Sequence, residues 1–100
     1  MSHDIMLDVR RIKSKALKLF AKGDTSRVNP SWHATVRRIL TALNAATHPS
    51  ELNIPGFDLH ELKGDRKGTF AVKVTGNWRV TFKWDDAGPF AVDLEDYHGK

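Results

Sequence analysis

Three segments in the second half of this chain alternate apolar and polar residues with very little sequence between them. They are Phe70-Ala71-Val72-Lys73-Val74, Trp78-Arg79-Val80-Thr81-Phe82-Lys83-Trp84 and Phe90-Ala91-Val92-Asp93-Leu94. A period of two is the mark of strands that bury one face. The gaps are too short for a crossover helix, so consecutive strands must run antiparallel and lie side by side.

Parity sets which residues share a face. A two-residue loop at Gly76-Asn77 would set Val74 opposite Arg79, an apolar residue against a charged one. A three-residue loop, Thr75-Gly76-Asn77, pairs Val74 with Trp78, Val72 with Val80 and Phe70 with Phe82. Asn77 can take the left-handed position such a loop needs. Across Asp85–Pro89 the same parity pairs Phe82 with Val92 and Val80 with Leu94. The large apolar residues then share one face. On the other face Lys73 lies opposite Arg79, and Arg79 opposite Glu95. Two facing cations are unfavourable unless an anion sits beside them, and either Glu95 or a bound phosphate could serve.

Upstream, the pattern is helical. The alternation of Ile5, Leu7 and Val9 predicts a strand near residues 7–12, and Ile12, Ala16, Leu17 and Phe20 then follow a helical period. A helix is expected from Ser14 to Lys22, stopped by Gly23. Asn29 and Pro30 form the start of a second helix, with Trp32, Val36, Ile39, Leu40 and Leu43 on one stripe and Arg37 and Arg38 off it. Trp32 is expected to be a core or rim anchor. Pro49 should end this helix. Pro55-Gly56 marks a turn, and a short strand is expected around Phe57–Leu62. The order is β-α-α-β-β-β-β: an α+β fold with two helices packed on one face of a mainly antiparallel sheet.

The chain has 100 residues, the size of a single domain spanning 1–100, with 1–8 read as an N-terminal extension. Residues 1–48 carry nine Lys/Arg against three Asp/Glu, a balance of +6, and residues 49–100 carry seven against nine, a balance of −2. The basic half, including Lys15, Lys18, Arg37 and Arg38, suits contact with a polyanion, or simply a solvated helix face. With no cysteine, thiol catalysis and Cys-ligated metal sites are excluded. The five histidines show no metal-ligand spacing, and there is no Walker or Rossmann loop or nucleophile elbow. No signal peptide or membrane span is read.

The chain ends Leu94-Glu95-Asp96-Tyr97-His98-Gly99-Lys100. A terminal histidine is ordinarily a solvated bystander, His60 alone a half-buried strand residue and Lys63 alone a turn lysine. Together with Arg79 they supply the types needed to cleave RNA without a metal. That reaction needs a base for the 2′-hydroxyl, an acid for the departing 5′-oxygen, and fixed positive charge for the transition state. Histidine suits either proton transfer, Arg fits phosphate oxygens, and Tyr97 can stack on a base.

These residues lie in a series of fragments. They are Lys15-Ala16-Leu17-Lys18-Leu19-Phe20, Pro55-Gly56-Phe57, Leu59-His60-Glu61-Leu62-Lys63-Gly64-Asp65, Gly76-Asn77-Trp78-Arg79-Val80-Thr81-Phe82 and Asp96-Tyr97-His98. In this order and spacing the chain, from about Val9 to His98, resembles the HigB branch of the RelE/ParE toxins of bacterial type II toxin–antitoxin systems. The resemblance implies a microbial-RNase-like fold. It implies a cytoplasmic, ribosome-dependent mRNA interferase that cuts A-site mRNA on the 70S ribosome with no cofactor or metal. It also implies a HigA-like helix-turn-helix antitoxin, with operator DNA reached only through that antitoxin.

The family's site falls on His60, Lys63, Arg79, Asp96, Tyr97 and His98. By their charge, Lys73, Arg37, Arg38, Lys15 and Lys18 are expected as RNA or ribosome contacts. Arg79 and Lys63 are expected to hold phosphate. His98, oriented by Asp96, is expected to transfer protons, with His60 and Tyr97 assisting. A ParE-like gyrase inhibitor on the same fold would need no acid–base set, and a non-catalytic RNA- or ribosome-binding module would bind without cutting.

Overall fold

In the computed structural model, which describes residues 7–97, each helix begins where a side chain can cap it. The Ser14 hydroxyl accepts the Leu17 N–H at 3.1 Å and opens α1, Lys15–Ala21. Gly23, at φ +106°, closes it: the Gly23 N–H donates to Phe20 and the Asp24 N–H to Leu19. This paired closure needs a left-handed residue after the helix. Asn29 accepts the Ser31 N–H and starts a 3-10 turn, Pro30–Trp32, that runs into α2, His33–Ala45. The Val36, Ile39, Leu40 and Leu43 stripe is fully buried, as expected. Trp32 is half-buried and packs on Trp78, with centroids 5.2 Å apart, in the anchoring role expected of it.

α2 ends earlier than Pro49. The Glu51 carboxylate takes both the Thr47 N–H and the Thr47 hydroxyl, at 2.9 and 3.0 Å, and Pro49 instead opens a 3-10 turn, Pro49–Leu52. The residue before it, His48, is extended, as a pre-proline residue prefers to be.

Four antiparallel strands follow in sheet order: β1, His60–Glu61; β2, Phe70–Thr75; β3, Trp78–Asp85; and β4, Gly88–Asp96. The strand expected near residues 7–12 does not form as such. Asp8 caps Arg10 through both its backbone and its guanidinium, folding Val9–Arg11 into a 3-10 turn, and only Ile12 makes a bridge, parallel, to Val92. Residues 1–6 of the expected extension lie outside the described residues.

The register agrees with parity in the strand interiors. Phe70 faces Phe82, Val72 faces Val80, and Val80 faces Leu94. At the ends, bulges replace the longer loops. The turn is the two-residue Gly76-Asn77 after all: Thr75 pairs with Trp78, and Val74 is bulged out of the expected pair. Gly76, at φ +50°, takes the left-handed position expected at Asn77. In β4, Ala91 and Val92 together stand opposite Phe82. Ala91 adopts φ +51° there, and the Val92 carbonyl accepts both the Lys13 and Ser14 N–H groups. The chain is thereby tied to β4 just before α1 begins.

The core lies between the helices and one sheet face, where Leu17, Ile39, Leu40, Val72, Val80 and Phe82 are buried. Arg11 fastens the other end of the hairpin: its Nε donates to the Pro89 carbonyl at 2.9 Å and its Nη2 to Asp85.

Candidate active site

Alternation sends every second residue of the strands away from the helices. Two rows result on that open face. One is Lys73, Arg79 and Glu95; the other is His60, Ala71, Thr81 and Asp93. The apposition of Lys73, Arg79 and Glu95 expected from parity is therefore present. Between the rows and the β1–β2 connection runs a polar groove of about 490 Å³, lined by Arg66, Thr69, Thr81, Lys83, Asp93 and Glu95 among others.

His60 enters this face from the sheet edge. The residue before Leu59, Asp58, is left-handed at φ +52°. Its carbonyl lies 3.1 Å from Nδ1 of His60, which donates to it and leaves Nε2 as the ring's other nitrogen. Tyr97 reaches the same place from the far edge. Its N–H donates to the Asn77 carbonyl at 2.8 Å, pinning the segment after β4 against the β2–β3 turn. The two rings meet with centroids 6.3 Å apart, across the strands that carry Lys73 and Arg79.

Arg79 is half-buried. Its Nη1 donates to the Gly76 carbonyl at 2.7 Å and the Trp78 carbonyl at 3.2 Å. Its Nε is buried without a hydrogen-bond partner among the described residues. A donor in that state costs about 1–3 kcal/mol.

The other expected residues are distributed as follows. Lys63 is exposed at the start of the Gly64–Arg66 turn. Asp96 is the exposed last residue of β4, next to Tyr97. His98 lies outside the described residues. Lys15 and Lys18 are on α1, Arg37 and Arg38 on α2, with both guanidinium groups 5.1 Å from aromatic rings, Phe20 and Phe57. These four belong to the helical layer, on the opposite side of the sheet from His60, Arg79 and Tyr97. Only Lys73 of the expected contact residues shares the open face with Arg79.

Sequence reasoning missed Arg66. It leaves the β1–β2 turn and grips Glu95 with two parallel bonds of 2.8 Å, while the Thr81 hydroxyl donates to the same carboxylate at 2.5 Å. Arg66's hydrogen bonds hold the Glu95 carboxyl below its ordinary range against the opposing effect of partial burial, with Thr81 adding to the lowering. The Arg66 guanidinium is held correspondingly more basic, first by Glu95. In the sequence Arg66 sits in Gly64-Asp65-Arg66-Lys67-Gly68, a polar turn with nothing to separate it from a solvated arginine.

Imidazole, phenol and guanidinium converging on an open, positively charged face can bind a phosphodiester and exchange protons with it. Among the described residues no cluster of three His, Cys, Asp or Glu could hold a metal ion, and no helix is long and apolar enough to cross a membrane.

Two comparisons bear on this geometry. The family model described as the RelE-like toxin of type II toxin–antitoxin system HigB matches residues 10–98. Over 91 residues the chain is 40% identical to the endoribonuclease HigB of Proteus vulgaris, a span covering 90% of this chain and 99% of that protein.

Proposed function

Because the chain belongs to the HigB-like family of RelE-like toxins from type II toxin–antitoxin systems, we propose that it is an endoribonuclease that cuts mRNA in the ribosomal A site. The observation that carries this reading is the meeting of His60 and Tyr97 over the strands bearing Arg79 and Lys73.

The chemistry is an internal displacement. The 2′-oxygen of the substrate attacks the neighbouring phosphorus, giving up its proton to a base. A bond from O2′ to phosphorus forms as the bond to O5′ breaks. An acid protonates O5′, leaving a 2′,3′-cyclic phosphate and a 5′-hydroxyl. Arg79 and Lys63 neutralise the phosphorane-like oxygens. His98, with Asp96 orienting it, carries a proton. His60, whose ring is held at Nδ1 by the Asp58 carbonyl, carries or positions the other. Tyr97 stacks on or orients a nucleotide. No metal enters these steps.

A type II toxin is paired with a protein antitoxin, and we assign a HigA-like helix-turn-helix protein to that role, acting in the cytoplasm. The basic helical layer, with Lys15, Lys18, Arg37 and Arg38, serves 16S rRNA or an acidic antitoxin segment rather than the scissile phosphate, because it lies behind the sheet.

The deciding experiment is a reconstituted translation reaction with mRNA 5′ ends mapped by primer extension. The expected result is cuts in phase with A-site codons that need ribosomes and vanish in R79A. Cutting of naked mRNA at the same rate overturns the ribosome requirement. Growth arrest without any cut overturns the nuclease and turns attention to gyrase.

A further inference from the structure

The register of β3 and β4 creates a problem for a phosphate-binding arginine. Glu95 is the cross-strand neighbour of Arg79 on the open face. Facing residues in an antiparallel pair have Cα atoms only about 4.5–5.5 Å apart. A carboxylate and a guanidinium so placed form a ready-made bidentate pair, and that pair would occupy the fork a phosphate needs.

The pair is not made. Both Glu95 oxygens bind the two terminal nitrogens of Arg66, at 2.8 Å each, and Oε2 also accepts the Thr81 hydroxyl. Arg79 turns the other way, toward the carbonyls of Gly76 and Trp78, and its Nε is left without a partner among the described residues. Thr81 is 1% exposed, so its hydroxyl is a fixed donor. Arg66 arrives from the turn after β1, far away in sequence, and so is independent of the register that sets Arg79 beside Glu95.

We infer that Arg66 is a positioning residue for the proposed cleavage: by holding Glu95 against Thr81, it keeps Arg79 free of a carboxylate partner and open to the substrate phosphate. This rests on the nuclease reading only for its consequence in catalysis. The competition between Arg66 and Arg79 for Glu95 holds whatever the substrate. In this arrangement the Lys73–Arg79 pair keeps its full positive charge, because the one carboxylate in its row is neutralised from outside the row. Without Arg66, Glu95 is released beside Arg79 and becomes an internal competitor of the phosphate.

Three variants test this: R66A, E95Q and R66A/E95Q. In the reconstituted translation reaction, R66A is expected to lose at least tenfold in cleavage rate. E95Q should cut within about threefold of the unchanged protein, and the double variant should recover to that level. A purely structural loss at Arg66 would not be rescued by removing a second charge. In parallel, the Arg79 Nε–H resonance is followed by proton–nitrogen NMR on the free protein. It should shift in R66A as the new pair forms, and return in R66A/E95Q. Unreduced cleavage by R66A, absence of rescue, or an Arg79 resonance unmoved in R66A overturns the inference. If the unchanged protein does not cut at all, the nuclease reading fails, and the NMR series alone still decides whether Arg66 keeps Glu95 from Arg79.

Discussion

The ring of Tyr97 lies 6.3 Å from that of His60, although one residue follows the last strand and the other sits in the first. This contact links the first and last strands of the sheet, and a backbone bond from Tyr97 to Asn77 holds the segment that carries it. A side chain held that way contributes both a flat face and a hydroxyl. Tyr97→Ala should lower mRNA cleavage about 10- to 100-fold, in line with roughly 1–3 kcal/mol for stacking one base. Tyr97→Phe keeps the face and should lose less than Tyr97→Ala. Equal losses in the two variants, by primer extension under single-turnover conditions, would assign the effect to the hydroxyl instead.

On the proposed mechanism Arg79→Ala removes a donor to the phosphate, an effect worth roughly 10²–10³ in rate at comparable sites. It also removes a buried, unpartnered Nε, so the fold loses little. Cleavage should fall at least 10²-fold while the midpoint of thermal unfolding stays within about 5 °C, the shift expected for about 1 kcal/mol in a domain this size. Arg79→Lys keeps the charge but not the fork and should recover only part of the rate. A variant that is inactive because it has unfolded would show itself in the same melt.

How far the sequence carried can be judged at particular pairs. Val72–Val80, Phe70–Phe82 and the Lys73–Arg79–Glu95 row were legible because a period of two leaves no other way to bury the apolar set. The bulges at Val74 and Ala91 were not. A three-residue loop, or a two-residue loop plus one bulged residue, preserves the same parity, and alternation cannot tell them apart. The strand near residues 7–12 failed for a local reason: Asp8 and Arg10 offer the backbone a cap that outcompetes pairing. His60, Arg79 and Tyr97 could be proposed from the sequence because their chemistry is distinctive. Arg66 could not, since its significance depends on reaching Glu95 across the sheet.

The acid limb of stability should report Glu95. Its carboxyl is held below the ordinary glutamate value of 4.5, chiefly by Arg66 and then Thr81. A group whose folded value is depressed contributes stability above its unfolded value, and that contribution is lost as the pH falls through the folded one. The unfolding free energy from urea titration should therefore decline as the pH drops below about 4.5. Glu95→Gln should decline less steeply over the same range, being less stable than the unchanged protein at pH 7 and closer to it at pH 3. Parallel curves for the two proteins would mean that the Arg66–Glu95 pair contributes nothing to folding.

Among the described strand residues, Ala91 alone has a backbone that works against its side chain. At φ +51° an L-residue is strained by about 1–2 kcal/mol, and glycine is not. The strain is retained because the bulge there turns the Val92 carbonyl to the Lys13 and Ser14 N–H groups and sets Ile12 beside Val92. Glycine would relieve it at an entropic cost of roughly 0.5–1 kcal/mol in the unfolded chain. Ala91→Gly should thus gain about 0.5–1 kcal/mol, a rise of a few degrees in the thermal midpoint. Ala91→Val should do the reverse and more strongly, because a β-branched residue tolerates the left-handed region least. A lower midpoint for the glycine variant would show that the Ala91 methyl contributes more by its packing than its conformation costs.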